Sequence, residues 1–195
     1  MTLDSKASVA GKIAADIQAS IETKQRLLET EVATIEKMVQ ITLDCLRAGN
    51  KVLFCGNGGS AADSQHFAAE FVGRYEKERR SLPAIALTTD TSILTAVAND
   101  YSYDRVFERQ VEGLGRKGDV LFAISTSGNS KNVIQGVRKA KTLGLYVIGF
   151  LGGDGGQLKS LVDLPLVVPS KKTSRIQESH IMIGHILCEC VDELL

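Results

Sequence analysis

Five short apolar runs, each followed by a helical pattern, constrain this chain more than any other feature of its sequence. The runs are KVLFC (51–55), PAIAL (83–87), DVLFAIS (119–125), YVIGF (146–150) and LPLVV (164–168). Helical patterns fill the segments near 59–73, 91–114, 130–143 and 155–162, and a last helix is predicted from about 174 to the end. The runs are apolar throughout rather than alternating, the pattern of strands buried on both faces. Strand followed by helix, repeated, predicts an α/β fold with a five-stranded parallel sheet covered by helices on both sides. Ligands of such sheets bind beyond the carboxyl ends of the strands, so the loops leaving those ends are the ones that matter.

Ahead of the first strand, residues from about 5 to 48 show no strand signal. One apolar period runs through Val9, Ile13, Ile17, Ile21, Leu28, Val32, Ile35, Val39, Leu43 and Leu46. It predicts one long helix or two, ended by Gly49-Asn50. The chain thus divides into N-terminal helices (1–50) and an α/β unit (51–195), parts of one domain. The stripe must be covered by the body of the domain or by other subunits, and a bundle across subunits is the expectation.

Several function classes are disfavoured. Lys plus Arg and Asp plus Glu number 23 each, and no basic tract stands out, so the electrostatic footprint of a nucleic-acid binder is missing. The longest apolar stretches, such as YVIGFLGG, are too short to span a bilayer, and no membrane partner is expected. The opening MTLDSKASVAGKIAAD has early acidic residues and no apolar h-region, unlike a signal peptide. Cys45, Cys55, Cys188 and Cys190 show no C-x-x-C spacing and read as reduced, mostly buried thiols of a cytoplasmic protein.

Two loops follow strands. Gly56-Asn57-Gly58-Gly59-Ser60-Ala61 satisfies G-x-G-x-x-G/A, and Asp90 falls where a dinucleotide fold would put its ribose acid. Taken alone this favours a nucleotide weakly, and no Lys follows the glycines as a Walker A loop requires. After the third strand comes ISTSGNS, where Ser125, Thr126, Ser127 and Ser130 put four hydroxyls around Gly128 and Asn129 at a helix start. A Ser/Asn turn with an N-cap is the common structural reading. Four hydroxyls at a strand's carboxyl end, with free N–H groups and a helix dipole, favour a phosphate dianion.

His66 and Glu70 are four apart on the helix that leaves the glycine loop, about 6 Å along its axis, a spacing that suits two ligands of one ion. An isolated pair of this kind is more often a surface contact; here the position beside the crevice raises its weight. The other histidines, His180 and His185, stand with Gln177 in SRIQESHIMIGHILCECVDELL. Gln177 and His185 are about 12 Å apart along a regular helix, so spacing alone favours His180 as Gln177's co-ligand. One ion shared by Gln177 and His185 would need extended side chains, a distorted helix or ligands from more than one chain. Arg74 and Arg175 lie close to these motifs and read equally as phosphate partners or as solvated surface residues.

GNGGSAADSQHFAAEF, LTAVANDYSYDRVFERQV, ISTSGNSKNV and PSKKTSRIQESHIMIGHILCE together resemble the phosphoheptose isomerases, a branch of the sugar isomerase (SIS) domain superfamily. The resemblance covers essentially the whole chain, in the family's motif order. It implies a flavodoxin-like SIS fold and a homotetramer with active sites at subunit contacts. It also implies one zinc per subunit and conversion of sedoheptulose 7-phosphate to D-glycero-D-manno-heptose 7-phosphate. By motif, the zinc ligands would be His66, Glu70, Gln177 and His185, the family pattern RIQExHIxxxH selecting His185 against the spacing preference. Substrate contacts would be Asn57, Gly58, Gly59, Asn99, Asp100, Ser125, Thr126, Ser127 and Ser130, with Glu70 and Gln177 shared. Glu70 would be the base on carbon and His185 its acid/base partner.

Residues alone rank a metal-assisted sugar-phosphate enzyme first and a small nucleotide-binding oxidoreductase second. A catalytically silent SIS binding module, of the type that associates with the bacterial replication initiator, comes third. That last relative lacks acid/base residues at the positions of Glu70 and His185, which this chain keeps.

Overall fold

The computed structural model describes residues 8–195; the start of the expected N-terminal helix, residues 5–7, and most of the acidic opening lie outside them. The chain forms strands β1 (Val52–Gly56), β2 (Ala84–Ala86), β3 (Val120–Ser125), β4 (Tyr146–Gly152) and β5 (Leu164–Val168). All pair in parallel, in the order β2-β1-β3-β4-β5. This is the flavodoxin-like arrangement, whose switch point lies between β1 and β3.

Helices α1 (Val9–Thr30), α2 (Val32–Arg47), α3 (Gly59–Val72), α4 (Thr91–Asp100), α5 (Val106–Leu114), α6 (Lys131–Leu143), α7 (Leu158–Leu161) and α8 (Thr173–Leu194) surround the sheet. Successive strand residues feed opposite cores, because side chains alternate across a strand. Phe54, Phe122, Phe150 and Leu166 point toward α2, α3 and α8, while Leu53, Leu121, Val147 and Leu151 point toward α5 and α6. The first core is aromatic: Phe54 stacks on Phe122 at 5.0 Å between ring centroids and meets Phe67 and Phe71 of α3 at 5.9 Å each.

Two expected segments come out differently. The span 91–114 breaks after α4: Tyr101 leaves helical geometry, Ser102 is extended and Tyr103–Arg105 forms a single 3-10 turn before α5. An unbroken helix of that length would run about 36 Å, longer than the strands it would cover. The helix expected near 155–162 shrinks to α7, because Gly153, Gly155 and Gly156 hold positive φ ahead of it.

The N-terminal stripe also divides. Val39, Leu43 and Leu46 of α2 enter the core, whereas on α1 only Thr23 and Leu27 are buried. Val9 (76% exposed), Ile13, Ile17, Ile21 and Leu28 (64%) lie open on α1 of the single chain.

The segment after α3 is tied to the end of α8 by one buried ion pair. Asp192 accepts from the backbone N–H groups of Glu76 (2.8 Å) and Lys77 (3.0 Å) and from Arg79 Nε. Arg79 in turn donates to the carbonyls of Glu70 (2.9 Å) and Phe71 (3.0 Å), closing the last turn of α3. Burial opposes ionisation of Asp192, yet the Glu76 N–H, the Arg79 guanidinium and the Lys77 N–H together hold its carboxyl below the usual carboxylate range. Its contribution to stability is therefore present above the ordinary value of 3.8 and is lost as pH falls through the lowered one. Asp192→Ala, which leaves the guanidinium buried and uncompensated, is expected to lower unfolding free energy by about 3–5 kcal/mol at neutral pH, read from urea denaturation.

Candidate active site

The glycine loop leaves β1 and reverses at Gly58, whose φ of +58° suits a residue without Cβ. Ser60, Ala61 and Ala62 N–H groups close the first turn of α3 on Asn57 and Gly58 carbonyls. Gly59 is also a site of close approach: a Cβ there would lie 2.3 Å from Gln177 Nε2 of α8. Asp90, the residue a dinucleotide fold would use for the ribose, instead caps α4, accepting from the Ile93 N–H at 2.9 Å.

In the second loop, Ser125 Oγ and Ser130 Oγ are 3.0 Å apart across the turn, and the Asn129 N–H donates to Ser127 Oγ. The loop is wedged against the segment after β4. A Cβ on Gly128 (φ +64°) would sit 1.9 Å from the Gly155 carbonyl oxygen, and one on Gly156 would sit 2.6 Å from that of Ser127. No side chain caps α6. Beside this loop opens a cleft of about 430 Å³ lined by Thr126, Ser127, Gly152, Gly153, Asp154, Lys171, Thr173 and Ile176.

The metal-type residues gather one layer away, where α3 and α8 run side by side. Gly184 makes the approach possible, since a Cβ there would lie 2.0 Å from the Phe67 ring. The neighbours of these two residues, His66 and His185, consequently meet with Nε2 atoms 2.8 Å apart, and Glu70 Oε1 lies 3.5 Å from His66 Nε2. His180, which the spacing argument preferred, points the other way. It is fully buried against Phe150, with Nε2 donating to the Leu151 carbonyl at 3.1 Å. Burial pushes its pKa down to about 4, despite the carbonyl, so it is neutral at physiological pH.

Three of the four motif-assigned metal ligands therefore converge within one chain, while Gln177 stands at Gly59, about 12 Å earlier on α8. Two imidazoles, a carboxylate and an amide oxygen form a donor set suited to zinc. Among the described residues no three His, Cys, Asp or Glu side chains already form a metal cage. The two Nε2 atoms are closer than the roughly 3.3 Å of two ligands on a tetrahedral zinc, and Gln177 stands two turns away on α8, so a zinc held by all four would need this cluster to rearrange or a ligand from another chain.

Asn99 and Asp100 end α4, exposed and hydrogen-bonded to each other at 2.9 Å. Neither contacts the His66 cluster in this chain. Arg175 bonds Asp16 and lies 3.2 Å from Glu178, and Arg74 bonds the Glu76 carbonyl, so both spend their charge away from the hydroxyl loop.

Three neighbours escaped sequence reasoning, and a fourth, Asp63, stood in the helix motif without a role. Lys171 and Thr173 line the cleft, Tyr75 lies 5.8 Å from the His185 ring, and Asp63 sits one turn before His66. Burial pushes Asp63 up to about 6 against the pull of His66. Asp63 lies in the quoted helix motif; the others carry no spacing signal.

The family model described as SIS domain matches residues 17–152, and the parallel 2-1-3-4-5 sheet with a hydroxyl loop over its switch point fits that class of protein. The chain belongs to the phosphoheptose isomerases, aldose–ketose isomerases of that superfamily. It is 55% identical over 185 residues to a phosphoheptose isomerase of Clostridium acetobutylicum, covering 94% of each chain. Solved phosphoheptose isomerases from Neisseria gonorrhoeae (TM-score 0.91, 46% identity, 96% of this chain and 100% of that one) and Francisella tularensis (0.93, 39%, 95% and 99%) share its fold. No helix among the described residues is long and apolar enough to cross a membrane.

Proposed function

We propose that this chain converts D-sedoheptulose 7-phosphate to D-glycero-D-manno-heptose 7-phosphate in the cytoplasm, the first step toward ADP- or GDP-activated heptoses of bacterial surface glycans such as lipopolysaccharide. The observation that carries the reading is the convergence of His66 and Glu70, on the helix that leaves the glycine loop, with His185 of α8. The nucleotide reading loses its ribose acid, because Asp90 is a helix cap.

Moving a carbonyl from C2 to C1 takes a proton from C1, returns one to C2 and transfers a hydroxyl proton from O1 to O2. Glu70 removes the C1 proton and delivers it to C2, and His185 carries the proton between the oxygens. Ser125, Thr126, Ser127 and Ser130 hold the phosphate at the N-terminus of α6, fixing which carbon meets Glu70. Asn57, Gly58, Gly59, Asn99, Asp100 and Gln177 hold the sugar. His66, Glu70, Gln177 and His185 would hold one zinc per subunit, which would supply Lewis acidity where negative charge develops on the substrate oxygens.

The open apolar face of α1 supports a homotetramer built on bundled N-terminal helices. Light scattering is expected to give four times the 21.0 kDa chain mass, and a monomer would sink the bundle. The function is tested by giving the zinc-supplemented protein sedoheptulose 7-phosphate and following the aldoheptose phosphate by NMR. Product that disappears with a chelator supports both the isomerase and its metal. A folded, metal-loaded chain that makes none would direct the search to another sugar phosphate or to a silent binding module.

A further inference from the structure

Two side-chain amides join the glycine loop to the hydroxyl loop. Asn57 Nδ2 donates to Asn132 Oδ1 at 2.8 Å, and Asn132 Nδ2 donates back to Asn57 Oδ1 at 2.8 Å. Taken alone, such a pair has two equivalent settings, because turning both amides over restores the same two bonds. The Val133 backbone N–H removes the ambiguity: it donates to Asn132 at 2.9 Å, so the atom it meets must be the oxygen. That choice fixes Asn57 in turn. Its Oδ1 also lies 3.2 Å from the Tyr103 hydroxyl, which comes from the 3-10 turn between α4 and α5 and fills the second lone pair. One amide hydrogen of Asn57 is left without an acceptor among the described residues.

We propose that Asn132 and Tyr103 are positioning residues that hold Asn57 as an N–H donor toward the sugar and lock the two ligand loops into one cradle. Asn132 is buried at the second residue of α6, so the lock also sets the distance between the glycine turn and the phosphate helix. The position therefore reads an acceptor oxygen on the ligand; a bound group that needed an acceptor there would find none. The placement of Tyr103 gives the broken helix a purpose, since an unbroken α4–α5 would have no 3-10 turn to deliver the hydroxyl. This inference rests on the sugar-phosphate isomerase reading.

The test compares wild type, Tyr103→Phe, Asn132→Ala and the double variant by sedoheptulose 7-phosphate turnover, by calorimetric Kd for the same sugar phosphate and by Tm. Tyr103 is 57% exposed, so Tyr103→Phe should leave Tm unchanged. Loss of one neutral hydrogen bond should raise its KM and Kd roughly two- to tenfold, with kcat within about twofold of wild type. Asn132→Ala should raise KM at least as much. Adding Tyr103→Phe to it should cost almost nothing more, because both act through Asn57. Unchanged KM and Kd in Tyr103→Phe, or fold-changes that simply multiply in the double variant, would overturn the cradle while leaving the isomerase intact. Wild type that binds the sugar phosphate without turning it over, with Kd in the variants following the non-additive pattern, would sink the isomerase reading and support the cradle. Wild type that does not bind it would overturn both.

Discussion

Glu70→Gln is expected to remove turnover by about a hundredfold to ten-thousandfold while leaving sugar-phosphate binding within a few-fold of wild type. The amide has the carboxylate's shape but cannot take a proton from carbon, and a positioned base contributes rate of that order. Binding should survive because the loop proposed to hold the phosphate, Ser125–Ser130, lies at the end of a different strand from the one that leads to Glu70. Because Glu70 is also assigned to the metal, zinc content must be measured on the same preparation. A variant that keeps zinc and substrate but not turnover isolates the proton-transfer role. Near-normal activity would remove Glu70 from that role. Solvent deuterium in the wild-type product would favour proton transfer over a hydride shift.

The second large effect separates two histidines five residues apart. His185→Ala should abolish measurable turnover and lower bound zinc well below one per chain after dialysis, with little change in the urea midpoint, because the His185 side chain sits in the open cluster beside His66. His180→Ala should do the reverse. It empties a buried site against Phe150 and abandons the Leu151 carbonyl, a loss of about 2–4 kcal/mol in stability, yet leaves metal binding in place. Zinc analysis and denaturation of the two variants check this directly. Loss of zinc in His180→Ala with retention in His185→Ala would overturn the assignment.

That contrast shows what the sequence could and could not say. The strands were legible because KVLFC and DVLFAIS are apolar throughout, as strands buried on both faces are, and their parallel direction follows from the helices between them. Spacing along α8 gives the height of each side chain and the angle between His180 and His185, about 140°. It does not say which of those directions faces α3. That is decided by Gly184 closing on Phe67, a contact between residues far apart in sequence. The motif RIQExHIxxxH pointed to the histidine that meets His66, where geometry on one helix pointed to the other. The break after Asp100 was hidden because apolar residues continue on both sides of it. Asn132 and Lys171 carried no pattern at all: a single amide and a single cation acquire meaning only from their neighbours in space.

The wedge of Gly128 and Gly156 bears on how such an enzyme could change its diet. With backbone pressed against backbone on both sides, neither position has room for a methyl group, so a saturation library should return glycine alone in both columns. If the hydroxyl loop holds the phosphate as proposed, that end behaves as the zero mark of a ruler. A variant selected for a shorter or longer sugar cannot slide that mark. Its changes should gather at the other end of the scale, among the side chains of the glycine loop and along α8, where substitution alters reach without moving the anchor.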